Sequence, residues 1–183
     1  MALVHWDLAA TLWVNGFAGR SSMWDMIGVF GASLLIVFLV VAAVIAIVWR
    51  DGTARALLVA EIVGVVAAAW MISQLIGVAA FRERPFVRQP VRQLVAKDVR
   101  EKSFPSDHAT LAFAFAIPVA AAVRRRGVRA VLLATATIVA VSRVFVGVHY
   151  ISDVLAGFLL ALIVWWGIHS ALNKKYASLG ATT

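Results

Sequence analysis

A chain of 183 residues with 63% hydrophobic and 14% charged side chains is too apolar for an ordinary soluble domain, where about 25% of residues are charged. Its 17 Lys+Arg against 9 Asp+Glu give a formal charge of +8, which in so apolar a chain belongs at lipid headgroups rather than on nucleic acid. The absence of cysteine excludes a disulfide framework and thiolate chemistry, and no basic signal peptide opens the chain, whose first residues include Asp7.

The length suits one domain, residues 1–183. In chain order, residues 3 to 17 read as a short amphipathic helix. Asp7, Thr11 and Asn15 recur on one side; Trp6, Ala10, Trp13 and Phe17 recur on the other. It is too short to span a bilayer, which takes about 20 residues. It is expected to lie flat in the interface with its tryptophans at headgroup depth, ending at Gly16 and Gly19, so that the interfacial element covers 3–20.

Five spanning helices are predicted after it, which makes the fold class all-α, a polytopic membrane bundle. They run from about Trp24 to Trp49, Thr53 to Phe81, Ser106 to just before Arg124, Val128 to Val146, and Tyr150 to Leu172. The single long connection, 82–105, carries Pro85, Pro90, Pro105 and seven basic residues. Long loops of this kind tend to be functional.

Five crossings put Arg50, Arg55, Arg124, Arg125, Arg126, Arg129, Lys174 and Lys175 on one side. Arg20, Arg143 and the seven basic residues of the long loop fall on the other. Eight against nine decides nothing. Read as an anion-binding segment, the loop drops out of the count, and the Arg124 side is then cytoplasmic.

Three segments meet on the opposite, outer face: Arg82 to Phe86, Ser103 to His108, and Ser142 to Asp153. They bring two histidines, an aspartate, a serine and several arginines to the water–lipid boundary, with no Cys or carboxylate cluster to cage a metal. His149 and Asp153, four apart, share a helical face, so Asp153 can accept a hydrogen bond from one ring nitrogen and leave the other as a nucleophile. Ser106 is placed as an N-cap, at a helix end that suits phosphate. His108, in the first turn, can protonate a leaving oxygen. Arg84 and Arg143 can grip phosphoryl oxygens, where transition-state charge is spread. His5 and His169 read as packing or interface residues. Glu61, inside the second span, is a separate intramembrane acid nearer the cytoplasmic end.

Ser142 through Asp153 resembles the third signature of the type-2 phosphatidic acid phosphatase superfamily, which also includes vanadium haloperoxidases. Pro105-Ser106-Asp107-His108 resembles its second signature, usually Pro-Ser-Gly-His. The Asp form is typical of the bacitracin-resistance type of undecaprenyl-diphosphate phosphatase. Arg84-Pro85 resembles the end of the first. The resemblance implies His149 as the nucleophile that becomes phosphohistidine, Asp153 as its orienter, and His108 as acid and then base. It implies Ser106, Arg84 and Arg143 as phosphate ligands, and no cofactor. One position departs: the family's Lys, seven residues before the Arg, is Gly77 here. Arg82 is the expected substitute, ahead of Arg88 and Lys97. Asp107 brings a negative charge to the phosphate-binding set, unless a loop Arg engages it.

The reading is therefore a phosphatase taking undecaprenyl diphosphate from the bilayer on the outer face of a bacterial plasma membrane. Its alternatives are a broader lipid phosphatase, a lipid phosphotransferase, or a non-catalytic lipid-phosphate binder. Oligomeric state is not legible.

Overall fold

The computed structural model describes residues 2 to 180, with the side chains of residues 5 to 174. Met1, residues 181 to 183 and the side chain of Lys175 lie outside that description. The described residues form helices and connections only: α1 (Ala2–Asn15), α2 (Ser22–Ser33), α3 (Leu35–Val48), α4 (Gly52–Ala79), α5 (Pro85–Arg88), α6 (Asp107–Ala122), α7 (Arg126–Phe145) and α8 (Ile151–Gly180).

Three of these, α4, α7 and α8, are each long and apolar enough to cross a membrane. The first predicted span is instead two helices, α2 and α3, bent by 44° at Leu34; counted as one, they make a fourth crossing. The third predicted span, α6, has 16 residues. At 1.5 Å per residue it is about 24 Å long, short of the roughly 30 Å hydrocarbon layer. Its position explains this. Helix α6 packs against α3, α4, α7 and α8, and its residues from Ala109 to Ala120 are mostly buried. A helix wrapped by others need not match the lipid thickness with its own length.

The outer helices are apolar on the faces they turn away from α6. Trp49, Val78, Leu75, Ile163 and Trp166 are all exposed, as lipid-facing residues of a multi-pass membrane protein are. The core on the other side is built around Leu39, Val65, Ala69, Ala112, Ala136 and Val139, small enough in part to bring helices close.

Helix α1 is oriented by its polar stripe. Asp7, Thr11 and Asn15 are 5%, 0% and 4% exposed, while Trp6, Trp13 and Phe17 point outward. The stripe is therefore turned onto the protein. Thr11 Oγ1 accepts from the Ile151 N–H at 3.1 Å, and Asp7 accepts from the N–H and hydroxyl of Ser152 at 2.9 and 2.7 Å. Asn15 clamps both strands of a junction. Its Nδ2 donates to the carbonyls of Arg92 and Phe145 at 2.9 and 2.8 Å, and its Oδ1 accepts from the Arg92 N–H at 2.7 Å. Segment 82–105 is held by this clamp against the α7–α8 turn. Gly147 in that turn has φ +78, and a Cβ there would lie 2.5 Å from the Arg92 carbonyl oxygen, so only glycine allows the approach.

Glu61 of α4 faces α8. It accepts from Trp165 Nε1 at 2.6 Å and pairs with His169 Nδ1 at 2.9 Å. Its cost of burial is met by neighbours, away from the segments described next.

Candidate active site

His149 lies between α7 and α8 and is 2% exposed. Its Nδ1 is 2.9 Å from the Ser103 carbonyl oxygen, and its Nε2 is 3.2 Å from Arg84 Nη1. A carbonyl only accepts and a guanidinium only donates. The ring is thereby fixed with the proton on Nδ1 and the lone pair on Nε2. Asp153 is the nearest carboxylate, but its Oδ2 stands 3.6 Å from Nδ1, too far for a hydrogen bond. The expected direct Asp153–His149 bond is thus replaced by a relay. Asp153 Oδ2 accepts from Ser103 Oγ at 2.5 Å and from the Tyr150 N–H at 2.8 Å, and the Ser103 carbonyl holds the ring. The sequence placed Ser103 at the edge of a converging segment but gave its backbone no role.

Burial pushes the His149 pKa from 6.5 down to about 4, with the charges of Arg84 and Arg143 adding to the effect and Asp153 opposing it. The imidazole is neutral at neutral pH, as a nitrogen nucleophile must be.

Arg84, 5% exposed, also donates from Nη1 to the Val148 carbonyl at 2.9 Å and from Nη2 to Glu101 at 3.0 Å. Burial lowers its pKa, opposed by Glu101. Arg143, 1% exposed, donates from Nη1 to the Ala32 carbonyl of α2 at 2.9 Å. Ser106 occupies the N-cap of α6, yet its hydroxyl makes no capping bond. Its N–H donates to the Asp153 carbonyl at 3.1 Å, joining the start of α6 to the start of α8. His108, one residue into α6, lies within electrostatic reach of Arg143, His149, Lys97 and Asp107.

Among the described residues, three buried side-chain polar atoms lack a hydrogen-bond partner: Arg84 Nε, Ser106 Oγ and Arg143 Nε. Buried polar atoms are ordinarily paired. All three belong to residues the sequence assigns to phosphate.

Two expected phosphate ligands are directed elsewhere. Arg82 donates to Asp7 at 2.7 Å, Asp153 at 2.8 Å and Ser152 at 2.7 Å, and stacks 3.7 Å over the Tyr150 ring. Its pKa is raised: burial works against the charge, but Asp153 and Asp7 together outweigh it. It braces α1 against α8, with both terminal nitrogens engaged by Asp7, Asp153 and Ser152. Arg88 pairs with Glu83, and Lys97 lies 3.4 Å from Glu101. Asp107 accepts from Ser73, Gln74 and Lys102 at 2.7, 3.0 and 2.7 Å, so its partner from the loop is a lysine rather than an arginine.

One end of the helical bundle thus carries two buried arginines and a histidine with its lone pair on Nε2, a setting suited to an anionic phosphoryl group. The PAP2 superfamily matches residues 58–177, and the chain belongs to that superfamily. Family and site together make it a phosphatase. It is 33% identical over 154 residues to undecaprenyl-diphosphatase BcrC of Bacillus subtilis (strain 168), covering 82% of this chain and 76% of that protein. Its fold is similar to that of Aquifex aeolicus LpxE, with a TM-score of 0.74 at 20% identity over 89% of this chain and 94% of that one. It is also similar to the first transmembrane PAP2 type phosphatidylglycerolphosphate phosphatase from Bacillus subtilis, with a TM-score of 0.68 at 22% identity over 94% and 87%.

Proposed function

We propose that the protein hydrolyses undecaprenyl diphosphate to undecaprenyl phosphate and inorganic phosphate, on the outer face of a bacterial plasma membrane crossed five times. The observation that carries this is the trio of unpartnered buried atoms on Arg84, Ser106 and Arg143, together with a histidine whose Nε2 faces Arg84 and carries a lone pair. The name of the Bacillus subtilis relative at 33% identity, an undecaprenyl-diphosphatase, supports the diphosphate among lipid phosphates.

The terminal phosphoryl group is bound by the Arg84 and Arg143 guanidinium groups and the Ser106 hydroxyl. Arg84 then trades its contact with Nε2 for one with a phosphoryl oxygen, which frees the lone pair. His149 Nε2 attacks phosphorus; the N–P bond forms as the P–O bond to the lipid phosphate breaks. His108 donates its proton to that departing oxygen. The two arginines stabilise the charge spread over the equatorial oxygens. In the second half, His108 takes a proton from water as the water oxygen attacks phosphorus, and the N–P bond returns its electron pair to Nε2. The Ser103–Asp153 relay keeps the ring oriented throughout.

The lipid tail has an apolar path. A groove of about 320 Å³ among α6, α7 and α8 is lined by Val154, next to Asp153 in sequence, and by Phe113 and Phe158. Such a wall grips any long apolar chain. Phosphatidic acid, phosphatidylglycerol phosphate and short prenyl diphosphates are therefore the competing substrates to assay.

The test is phosphate release from purified protein in EDTA with each of these lipids. Release is expected to be greatest in kcat/KM for undecaprenyl diphosphate and to be blocked by vanadate. His149→Ala is expected to abolish turnover, and His108→Ala to lower it by roughly a hundredfold to ten-thousandfold. Undiminished turnover in His149→Ala would falsify the mechanism.

A further inference from the structure

Helix α4 has a gap at Gly77, and the gap is filled from the loop. Gly77 is buried on α4, and a Cβ built on it would fall 1.9 Å from Cδ and 2.7 Å from Cε of Lys102. The Lys102 side chain therefore lies across the helix backbone where any other residue would put its own side chain. Its ammonium group uses three donors on three acceptors: Asp107 Oδ1 at 2.7 Å, the Pro105 carbonyl at 3.0 Å and Ser73 Oγ at 3.1 Å. Only 13% of the Lys102 side chain is exposed. These contacts tie α4, the end of the long loop and the first turn of α6 together at one point. The short stretch between Lys102 and His108 contains Ser103, which holds the nucleophile's ring, and Ser106, whose hydroxyl is unpartnered.

Asp107 gives the arrangement its electrostatic purpose. Its carboxylate lies within reach of Arg143 and His108. Uncompensated, it would repel an incoming phosphate and draw on the cations meant for it. Lys102 neutralises the carboxylate in place, and Ser73 and Gln74 hold it there.

We infer that Lys102 is a positioning residue for the phosphate site, threading over Gly77 to neutralise Asp107 and fix the turn that carries Ser103, Ser106 and His108. This rests on the phosphatase reading. It follows that positions 77, 102 and 107 are one unit. A side chain at 77 and the lysine at 102 compete for one space, and the acid at 107 is tolerated because the lysine is there.

Two linked cycles of variants test this. In phosphate-release assays on the full-length protein in detergent, with a short-chain prenyl diphosphate as probe, Lys102→Ala is expected to raise KM roughly tenfold, the consequence of one uncompensated negative charge beside an anion site. Adding Asp107→Asn to Lys102→Ala is expected to bring KM most of the way back, which a purely packing role for Lys102 would not do. In thermal unfolding, Gly77→Ala is expected to be less favourable to the midpoint in the wild-type background, where Lys102 must move, than in the Lys102→Ala background, where the helix exchanges a glycine for an alanine with nothing in its way. An unchanged KM in Lys102→Ala, a loss that Asp107→Asn does not relieve, or additive effects of Gly77→Ala and Lys102→Ala would each overturn the inference. Wild-type protein releasing no phosphate from any lipid phosphate overturns the phosphatase reading and, with it, the phosphate-positioning role; the unfolding cycle then judges the packing unit by itself.

Discussion

Two contacts decide which nitrogen of His149 carries the proton, because the Ser103 carbonyl only accepts and the Arg84 guanidinium only donates. The same enclosure sets its titration. Burial lowers the pKa from 6.5 to about 4, so between those values the unfolded chain binds a proton that the folded site refuses. The stability tied to this group is whole above pH 6.5 and is lost as pH falls toward 4. Ring ¹⁵N spectra of histidine-labelled protein are expected to show His149 as the Nδ1–H tautomer at pH 7, protonating with a midpoint near 4. A midpoint near 6.5, or an Nε2–H ring at neutral pH, contradicts the assignment. At this scale, what was legible was local. His149 and Asp153 lie four residues apart at the entry to the last helix, and Ser106 and His108 sit at a helix start by their spacing. The identity of each arginine's partner was not legible. Arg82 and Arg84 are two residues apart, yet one braces Asp7 and Asp153 while the other faces His149. That division depends on acids far away in sequence.

At the scale of elements, α1 is a buttress. An alternation of polar and aromatic positions announces an amphipathic helix but not what its polar face meets. Here Asp7, Thr11 and Asn15 satisfy backbone groups at the start of α8, at the end of α7 and in the long loop, which water would otherwise have to reach. A polar residue in an interfacial helix and one in a buried clamp obey the same spacing, so the sequence signal is identical for both. Asn15→Ala leaves the Arg92 N–H and the Arg92 and Phe145 carbonyls without this partner. Each such group costs about 1–3 kcal/mol when left unsatisfied and buried, less where water enters. The variant is expected to unfold at a lower temperature and to lose kcat/KM because the long loop is no longer held on Gly147. Trp13→Ala, at a position 70% exposed, is the control and is expected to leave both nearly unchanged in detergent. Equal behaviour of the two variants would remove α1 from the account of the site.

Across the whole molecule, hydropathy delivered the order of the helices and missed their lengths, since a window of apolar residues is blind to what surrounds it. Helix α6 is apolar because protein encloses it, and α2 and α3 are apolar because their outer faces meet lipid; a hydropathy window registers both as apolar. The distribution of charge follows from the same arrangement. Arg50 reaches the Ala122 carbonyl at the far end of α6, and Arg124, Arg125 and Arg126 stand beside it, while His108 begins the opposite end. One end of the bundle is thus a basic collar and the other holds the site. The proposed orientation puts the collar in the cytoplasm, where Lys and Arg of short loops are retained. The chain contains no cysteine, so single substitutions report sidedness without background. Arg100→Cys, on an exposed stretch of the long loop, is expected to react with a membrane-impermeant maleimide on intact cells. Arg125→Cys, exposed in the collar, is expected to react only after the membrane is permeabilised. The reverse pattern would place the phosphate site inside the cell and require a lipid diphosphate supplied from the cytoplasmic leaflet.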